Sequence, residues 1–368
     1  MSKRIRVVMA GGGTAGHTSP LIATAEQLQK LADVDILCVG TPKGLESRVI
    51  PEAGLELAMI APVPMPRRPS ADLIRLPWRL RSAVNQARGL LRGHRAQVVV
   101  GFGGYVSLPV YLAARREKIP LVVHEANAVS GLANRVAALF TAHVVTTFPA
   151  TDLPHAQMLG LPVRAAIAGL DRVGRRAEGR SAFGLPEAGR VLLVSGGSQG
   201  ARSLNQATIA AADRLLADGI SVLHVLGSAN ITEADLPRLD PKTGAAYRPV
   251  GFVDEMGLAY AAADLMLGRS GAATVMETAM TGLPTIFVPL PHGNGEQARN
   301  ADFLVNARAG VRVEDAELDA DRLVAEVLAL FSDPDRLRLM SDTCRALAPS
   351  GAARALAQLV LSLAGGRD

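Results

Sequence analysis

GRSGAATVMETAMTGLPTIFVPLPHGNGEQARNA, residues 268–301, is the stretch whose reading decides the fold. Met266 and Leu267 close a short apolar run, Ser270 and Gly271 make a turn, and residues 274–280 are good helix formers stopped by Gly282 and Pro284. An apolar run at 285–290 follows, then a polar loop that opens another helix. A strand-to-helix turn aims backbone N–H groups and the positive helix end at whatever lies above the sheet, which suits a phosphate. Glu277 falls early in the helix, where a carboxylate can accept two hydrogen bonds from a vicinal diol such as a ribose. Asn294, Glu296, Gln297 and Asn300 supply groups of the kind that bind sugar hydroxyls. The segment fits a nucleotide-sugar site; on these residues alone a plain α/β crossover is the commoner meaning.

Working outward, apolar runs recur at helix-length intervals: 5–9, 34–39, 57–61, 97–101, 121–124 and 144–147, then 191–195, 222–226, 247–252, 264–267 and 285–290. The alternation predicts right-handed βαβ units on parallel sheets, an α/β chain of two doubly wound domains. The pattern lapses into Gly, Pro and charge at 160–164 and 172–180, so the hinge is placed there. The expected domains are 1–162 and 163–346, with a helix at about 347–364 crossing back onto the first. Both halves open alike, RVVMAGGGTAGH and RVLLVSGGSQGA, each a strand feeding a glycine loop and a helix.

At 368 residues the chain is comfortable for two domains. Hydrophobic residues make up 49% but aromatics only 4%, so the cores must be built from Ala, Val, Leu and Ile, as parallel sheets under helices are. Cys38 and Cys344 form neither a disulfide framework nor a metal knuckle, which fits a reducing cytosol. The glycines at 11–13 break the N-terminal apolar run, and no 18-residue apolar span is expected elsewhere, so neither signal peptide nor anchor is predicted. The net charge of +5 is uneven: residues 1–162 carry 18 Lys and Arg against 10 Asp and Glu, the remainder 21 against 24. A basic first half suits an anionic surface. Nucleic acid is disfavoured, because no basic groove interleaved with aromatics and no zinc spacing occurs.

Gly11, Gly13 and Gly16 match G-x-G-x-x-G after a strand. A dinucleotide site wants an acidic residue ending the second strand, yet that strand ends Cys38-Val39-Gly40-Thr41, so the loop reads as an anion or diphosphate cradle rather than an NAD site. His17 stands at the mouth of the same helix, as a reactive group or, equally, as a packing residue. SGGSQG at 195–200 is a second cradle, with the Ser198 hydroxyl available to phosphate oxygens. His124-Glu125 and Asn127-Ala128 follow a strand; a site role and simple satisfaction of the loop backbone are equally open. The D-x-D pairs at 33–35, 319–321 and 333–335 sit where Asp caps helices or precedes strands, so no metal and no other cofactor is assigned.

GGGTAGH (11–17), GFGGY (101–105), HEAN (124–127), LPVR (161–164), GGSQGARSLN (196–205), SGAATVMET (270–278) and GEQARNA (295–301) together resemble the signature of the peptidoglycan N-acetylglucosaminyltransferases of glycosyltransferase family 28, a GT-B family. The resemblance spans nearly the whole chain, with its motifs in order. It implies inverting transfer of N-acetylglucosamine from UDP-GlcNAc to the 4-hydroxyl of a lipid-linked muramoyl-pentapeptide, lipid I, giving lipid II. The fold it implies is two Rossmann-like doubly wound parallel-sheet domains facing across a cleft, the first taking the acceptor and facing the membrane, the second holding the donor. Carried over residue by residue, it implies donor contacts from Thr14, Ala15, Gly16, Asn127, Arg164, Ser198, Val253, Glu277 and Gln297, with His17 the general base and Glu125 the runner-up. Glu296 stands where some members carry a second glutamine, and Ala15 where others carry glycine. Another UDP-sugar enzyme of the same fold, such as a UDP-GlcNAc epimerase, is the alternative.

A lipid acceptor places the expected enzyme peripherally on the cytoplasmic face of the bacterial membrane, near other cell-wall synthesis proteins. Residues 67–95 hold eight arginines and one acid, interleaved with Leu, Ile and Val and with the chain's single tryptophan. Arg67, Arg68, Arg75, Trp78 and Arg79 are the expected contacts to an anionic leaflet; an ordinary surface helix accounts as well for the part after Ala83.

Overall fold

The computed structural model describes residues 4–63 and 71–366, so Arg67 and Arg68 lie outside the described residues. The chain divides into two compact units, Met1–Arg164 with Pro349–Asp368, and Ala165–Ala348.

In the first unit, strands β1 (Ile5–Ala10), β2 (Val34–Gly40), β3 (Glu56–Met59), β4 (Val98–Gly101), β5 (Leu121–Glu125), β6 (His143–Thr146) and β7 (Ala156–Met158) form a parallel sheet of order β3-β2-β1-β4-β5-β6-β7. The order reverses beside β1, where doubly wound sheets place their sites. The period-2 alternation of a strand divides the apolar residues between two helical layers. Val7 and Met9 point to one face, packed by Leu21, Ala25 and Leu28 of α1 (Ala15–Leu31). Val8 and Ala10 point to the other, with Val84, Ala87 and Leu91 and, a helix further on, Val110, Ala113 and Ala114. The helices there are α3 (Ala71–Gly93), α4 (Ser107–Arg116) and α5 (Leu132–Ala138), whereas α2 (Glu46–Glu52) buries Ile50 on the Val7 and Met9 face.

The second unit repeats the plan with β8 (Arg190–Ser195), β9 (Ile220–Val225), β10 (Arg238–Leu239), β11 (Ala246–Val250), β12 (Leu265–Gly268), β13 (Thr285–Phe287) and β14 (Gly310–Arg312), in the order β10-β11-β9-β8-β12-β13-β14. Its helices are α6 (Ala165–Ala168), α7 (Arg176–Ala182), α8 (Arg202–Ala217), α9 (Met256–Ala262), α10 (Ala272–Thr281), α11 (Glu296–Val305), α12 (Ala320–Phe331) and α13 (Pro334–Leu347). The chain then returns to the first unit as α14 (Ala352–Gly365), whose Leu356, Ala357 and Val360 join the core around Val7 and Met9.

Two sequence expectations need correction. Strands β7, β10 and β14 carry too few apolar residues to be read; β7 is exposed along its whole length, and β10 pairs antiparallel with β11. The stretch Pro334–Gly365 is apolar and long enough by composition to cross a membrane, contrary to the expectation of no such span. It is two helices broken at 348–351, and the apolar face of the second is buried in the first unit's core. Two of the D-x-D acids cap helices, Asp319 accepting from the Arg322 N–H and Asp333 from the Arg336 N–H, while Asp33 and Asp35 face Arg4 at the start of β2.

Candidate functional site

The first glycine loop follows β1 at the centre of its sheet. Thr14, in extended conformation, precedes α1, so Ala15, Gly16 and His17 form the first helical turn. Half-buried, His17 places its Nδ1 2.8 Å from the carbonyl of Gly12. A carbonyl can only accept, so Nδ1 carries the proton and the lone pair of the neutral ring lies on Nε2. The Thr14 hydroxyl is 3.3 Å from the same Nδ1.

Something the sequence reading missed holds this loop in shape. The carboxylate of Glu46, fully buried at the start of α2, accepts from the Gly13 N–H at 2.7 Å, from the Thr41 N–H at 3.0 Å and from the Thr41 hydroxyl at 2.8 Å. A Cβ on Gly12 would fall 2.5 Å from that carboxylate, which is why the loop needs glycine there. Burial alone would raise the Glu46 pKa, but the hydrogen bonds from Gly13 and Thr41 outweigh it and hold the group below the ordinary carboxylate value. The anion cradle expected at 11–16 is thereby corrected. An acid of the protein already occupies the Gly13 N–H, and its charge opposes a phosphate at that point.

Glu125 and Asn127 lie after β5. Both carboxylate oxygens of Glu125 are engaged, Oε1 by the Asn127 N–H at 2.9 Å and Oε2 by the Gly131 N–H at 2.8 Å and the Asn134 amide at 2.9 Å. The residue is 3% exposed, and the geometry is that of a loop clamp. Asn134 continues the network, donating to the His124 carbonyl and accepting from the buried Tyr111 hydroxyl at 2.8 Å. His124 donates from Nε2 to the Gly160 carbonyl; burial above all, and the nearby His17, push its pKa down to about 4, so it stays neutral.

In the second unit the loop at 195–200 follows β8 and opens towards α8. Gly200 has φ +73° and lies so close to the Leu226 carbonyl that a Cβ there would be 2.0 Å away. That carbonyl accepts from the amides of Asn205 and Asn230, and Asn230 also donates to the Gln199 carbonyl, so the loop is tied down behind Ser198. Ser198 itself is exposed at the tip. Asn205 is fixed in turn by His224, whose other nitrogen faces the Tyr247 hydroxyl at 2.9 Å; burial pushes the His224 pKa down to about 4.

Across the same sheet, Glu277 on α10 accepts at Oε2 from the Tyr260 hydroxyl of α9, 2.7 Å away. Arg269, in the turn before α10, donates to the carbonyls of Val288 and Pro289, to the Ser203 hydroxyl and to Asp315, locking the ends of β12 and β13 to α8. Val253 sits in the connection after β11 with its side chain buried. Gln297, in the first turn of α11, accepts at Oε1 from the Leu290 N–H at 3.1 Å. Asn300, read from sequence as a sugar ligand, is fully buried and donates to the Ser270 carbonyl, so it supports the turn from below. Arg164 is exposed at the end of the first unit's main segment. Among the described residues no group of three or more His, Cys, Asp or Glu is placed to hold a metal ion.

On the surface of the first unit, Trp78 on α3 is 69% exposed, and Arg75 and Arg79 are exposed beside it. Further along the helix, Arg88 and Arg92 both pair with Glu117, at 2.6 and 2.8 Å.

Residues 7–146 match the glycosyltransferase family 28 N-terminal domain, and residues 191–359 the glycosyltransferase family 28 C-terminal domain. The chain is 57% identical over 366 residues, 98% of each chain, to a Cutibacterium acnes protein named UDP-N-acetylglucosamine--N-acetylmuramyl-(pentapeptide) pyrophosphoryl-undecaprenol N-acetylglucosamine transferase. A Mycolicibacterium smegmatis protein of the same name is 50% identical, over 98% of this chain and 94% of its own. Among solved structures it is similar to MurG of Acinetobacter baumannii, at 26% identity and a TM-score of 0.76 over 97% of this chain and 99% of that one. The glycosyltransferase SnogD of Streptomyces nogalater shares the fold, at 18% identity and a TM-score of 0.67 over 99% of this chain and 100% of that one.

Proposed function

The chain belongs to glycosyltransferase family 28, with the two-sheet GT-B fold, and from that premise we propose that it transfers N-acetylglucosamine from UDP-GlcNAc to the 4-hydroxyl of undecaprenyl-pyrophosphoryl N-acetylmuramoyl-pentapeptide. The product is lipid II, the disaccharide-linked lipid of peptidoglycan synthesis. The first unit takes the acceptor and the second the donor.

The acceptor oxygen attacks the anomeric carbon from the face opposite the diphosphate. The new C–O bond forms as the bond to the β-phosphate oxygen breaks, the electron pair leaves with UDP, and the configuration inverts. The acceptor proton goes to His17 Nε2. The observation that carries this role is the bond from Nδ1 to the Gly12 carbonyl, which leaves the basic lone pair at Nε2. Glu125, with both carboxylate oxygens engaged by its own loop, serves as the clamp that presents Asn127 to the donor sugar.

Charge developing on the leaving diphosphate is met by Arg164, by the N–H groups and hydroxyl of the loop at Ser198, and by the N-terminus of α8. The backbone at Val253 reads the uracil, Glu277 holds the ribose hydroxyls, and the amide nitrogen of Gln297 donates to a sugar hydroxyl, its oxygen being engaged by Leu290. Thr14, Ala15 and Gly16, in the turn that carries His17, border the donor sugar. No metal takes part in this scheme, so activity is expected to survive a chelator.

A lipid-linked acceptor brings the enzyme to the membrane. Peripheral binding at the cytoplasmic face is supported by Trp78, Arg75 and Arg79, exposed together on α3. Labelled UDP-GlcNAc incubated with a lipid I analogue tests the function: labelled lipid II should appear with one UDP released per transfer. UDP release at the same rate without acceptor, or an epimerised donor, would overturn it.

A further inference from the structure

We propose that Tyr260 is a positioning residue that sets the ribose selectivity of the donor site, by fixing the orientation of the Glu277 carboxylate. The inference rests on the reading of Glu277 as the ribose ligand and adds the residue through which that ligand is aimed. Tyr260 is the one aromatic residue of α9, a short helix otherwise made of Met, Gly, Leu and Ala, and only 2% of it is exposed. Its hydroxyl donates to Glu277 Oε2 at 2.7 Å, the length of a charge-assisted bond.

A carboxylate on a half-exposed helical Glu samples several rotamers, and gripping a vicinal diol requires one of them. The phenol removes that freedom before the ligand arrives, so the ordering is not charged against binding. It also occupies one of the roughly four lone-pair positions of the carboxylate, which narrows the directions from which hydroxyls can be accepted. Burial, and then the adjacent Glu277 charge, push the Tyr260 pKa well above its ordinary value, so the hydroxyl remains a donor across the working pH range.

The prediction separates aim from packing. Tyr260→Phe keeps the ring and deletes only the donor. Affinities for UDP and for 2′,3′-dideoxy-UDP, which lacks the diol, are measured by calorimetry on the full-length wild type, Tyr260→Phe and Glu277→Gln. Tyr260→Phe should weaken UDP about tenfold and the dideoxy analogue less than twofold, with kcat at saturating UDP-GlcNAc unchanged. Equal weakening of both ligands, or none, would reduce Tyr260 to a packing residue and overturn the proposal. Glu277→Gln serves as the control for the underlying reading. If it leaves the preference for UDP over the dideoxy analogue intact, the ribose assignment itself fails; if it collapses the preference and Tyr260→Phe does not, only the positioning role fails.

Discussion

His17 donates from Nδ1 to the carbonyl of Gly12, five residues earlier on the other side of the same turn. The bond selects one tautomer of the ring and couples its orientation to the glycine loop. Because Gly13 is held by Glu46, the imidazole is positioned at one remove by an acid that never approaches it through hydrogen bonds of its own.

Replacing His17 by Ala should lower kcat by about a hundredfold or more, the usual contribution of a general base, with the Kd for UDP-GlcNAc within about twofold of wild type. Steady-state kinetics with saturating acceptor and a separate binding titration check the two halves. An unchanged kcat accompanied by a lower Tm would make the residue structural.

Glu46→Gln should cost about 1.5–3 kcal/mol, because a carboxamide cannot accept from both Thr41 and Gly13 without turning its own N–H groups towards a donor. The sign of the pH dependence follows from the depressed pKa. The unfolded chain binds the proton first, near pH 4.3, so the stabilisation is complete above that pH and is lost as pH falls through the lower folded value. Urea unfolding between pH 7 and pH 3 should therefore show wild type and variant converging in acid. A constant gap would contradict the argument.

His124 and His224 add an earlier acid limb. Both are buried and neutral with pKa values pushed down to about 4, from an ordinary 6.5. Between those values the unfolded chain takes up protons that the folded chain refuses, so stability falls from pH 6.5 to pH 4 by roughly 3 kcal/mol per ring and then levels off. His224→Gln should show a visibly shallower fall of Tm over that range. A slope equal to that of wild type would rule His224 out as a contributor.

Vesicle binding should be reversible, stronger for anionic than for neutral lipid, and weakened by salt. Replacing Arg67, Arg68, Arg75 and Arg79 together by Ala should reduce it by up to about a thousandfold, at about 1 kcal/mol for each arginine near the surface. Arg88→Ala and Arg92→Ala should have little effect, since both side chains are committed to Glu117. Sedimentation with vesicles of graded anionic content reads this directly; equal binding to neutral vesicles would remove the electrostatic contribution.

Local pattern made much of this architecture legible. The alternation at 5–9 contains both faces of β1, and the glycine turns after β1 and β8 lie where strand-to-helix turns were expected. What escaped were relations that no local pattern encodes. Glu46 reads as an ordinary acid at a helix start, and its partner Gly13 is 33 positions away. Tyr260 reads as a core aromatic until its distance to Glu277 is known. Asn300 looks like its polar neighbours in sequence, yet the helical turn carries it under Ser270. Short edge strands such as β10 escaped because two residues carry no periodicity.

The return of α14 to the first unit has a consequence for synthesis on the ribosome. Residues 165–348 form a contiguous unit and can complete their core as soon as they emerge, whereas the sheet around Val7 and Met9 lacks Leu356, Ala357 and Val360 until the second unit has been made. Until then one apolar face of the nascent first unit stays wet, a surface on which chaperones act and misassembly begins. The last helix closes it.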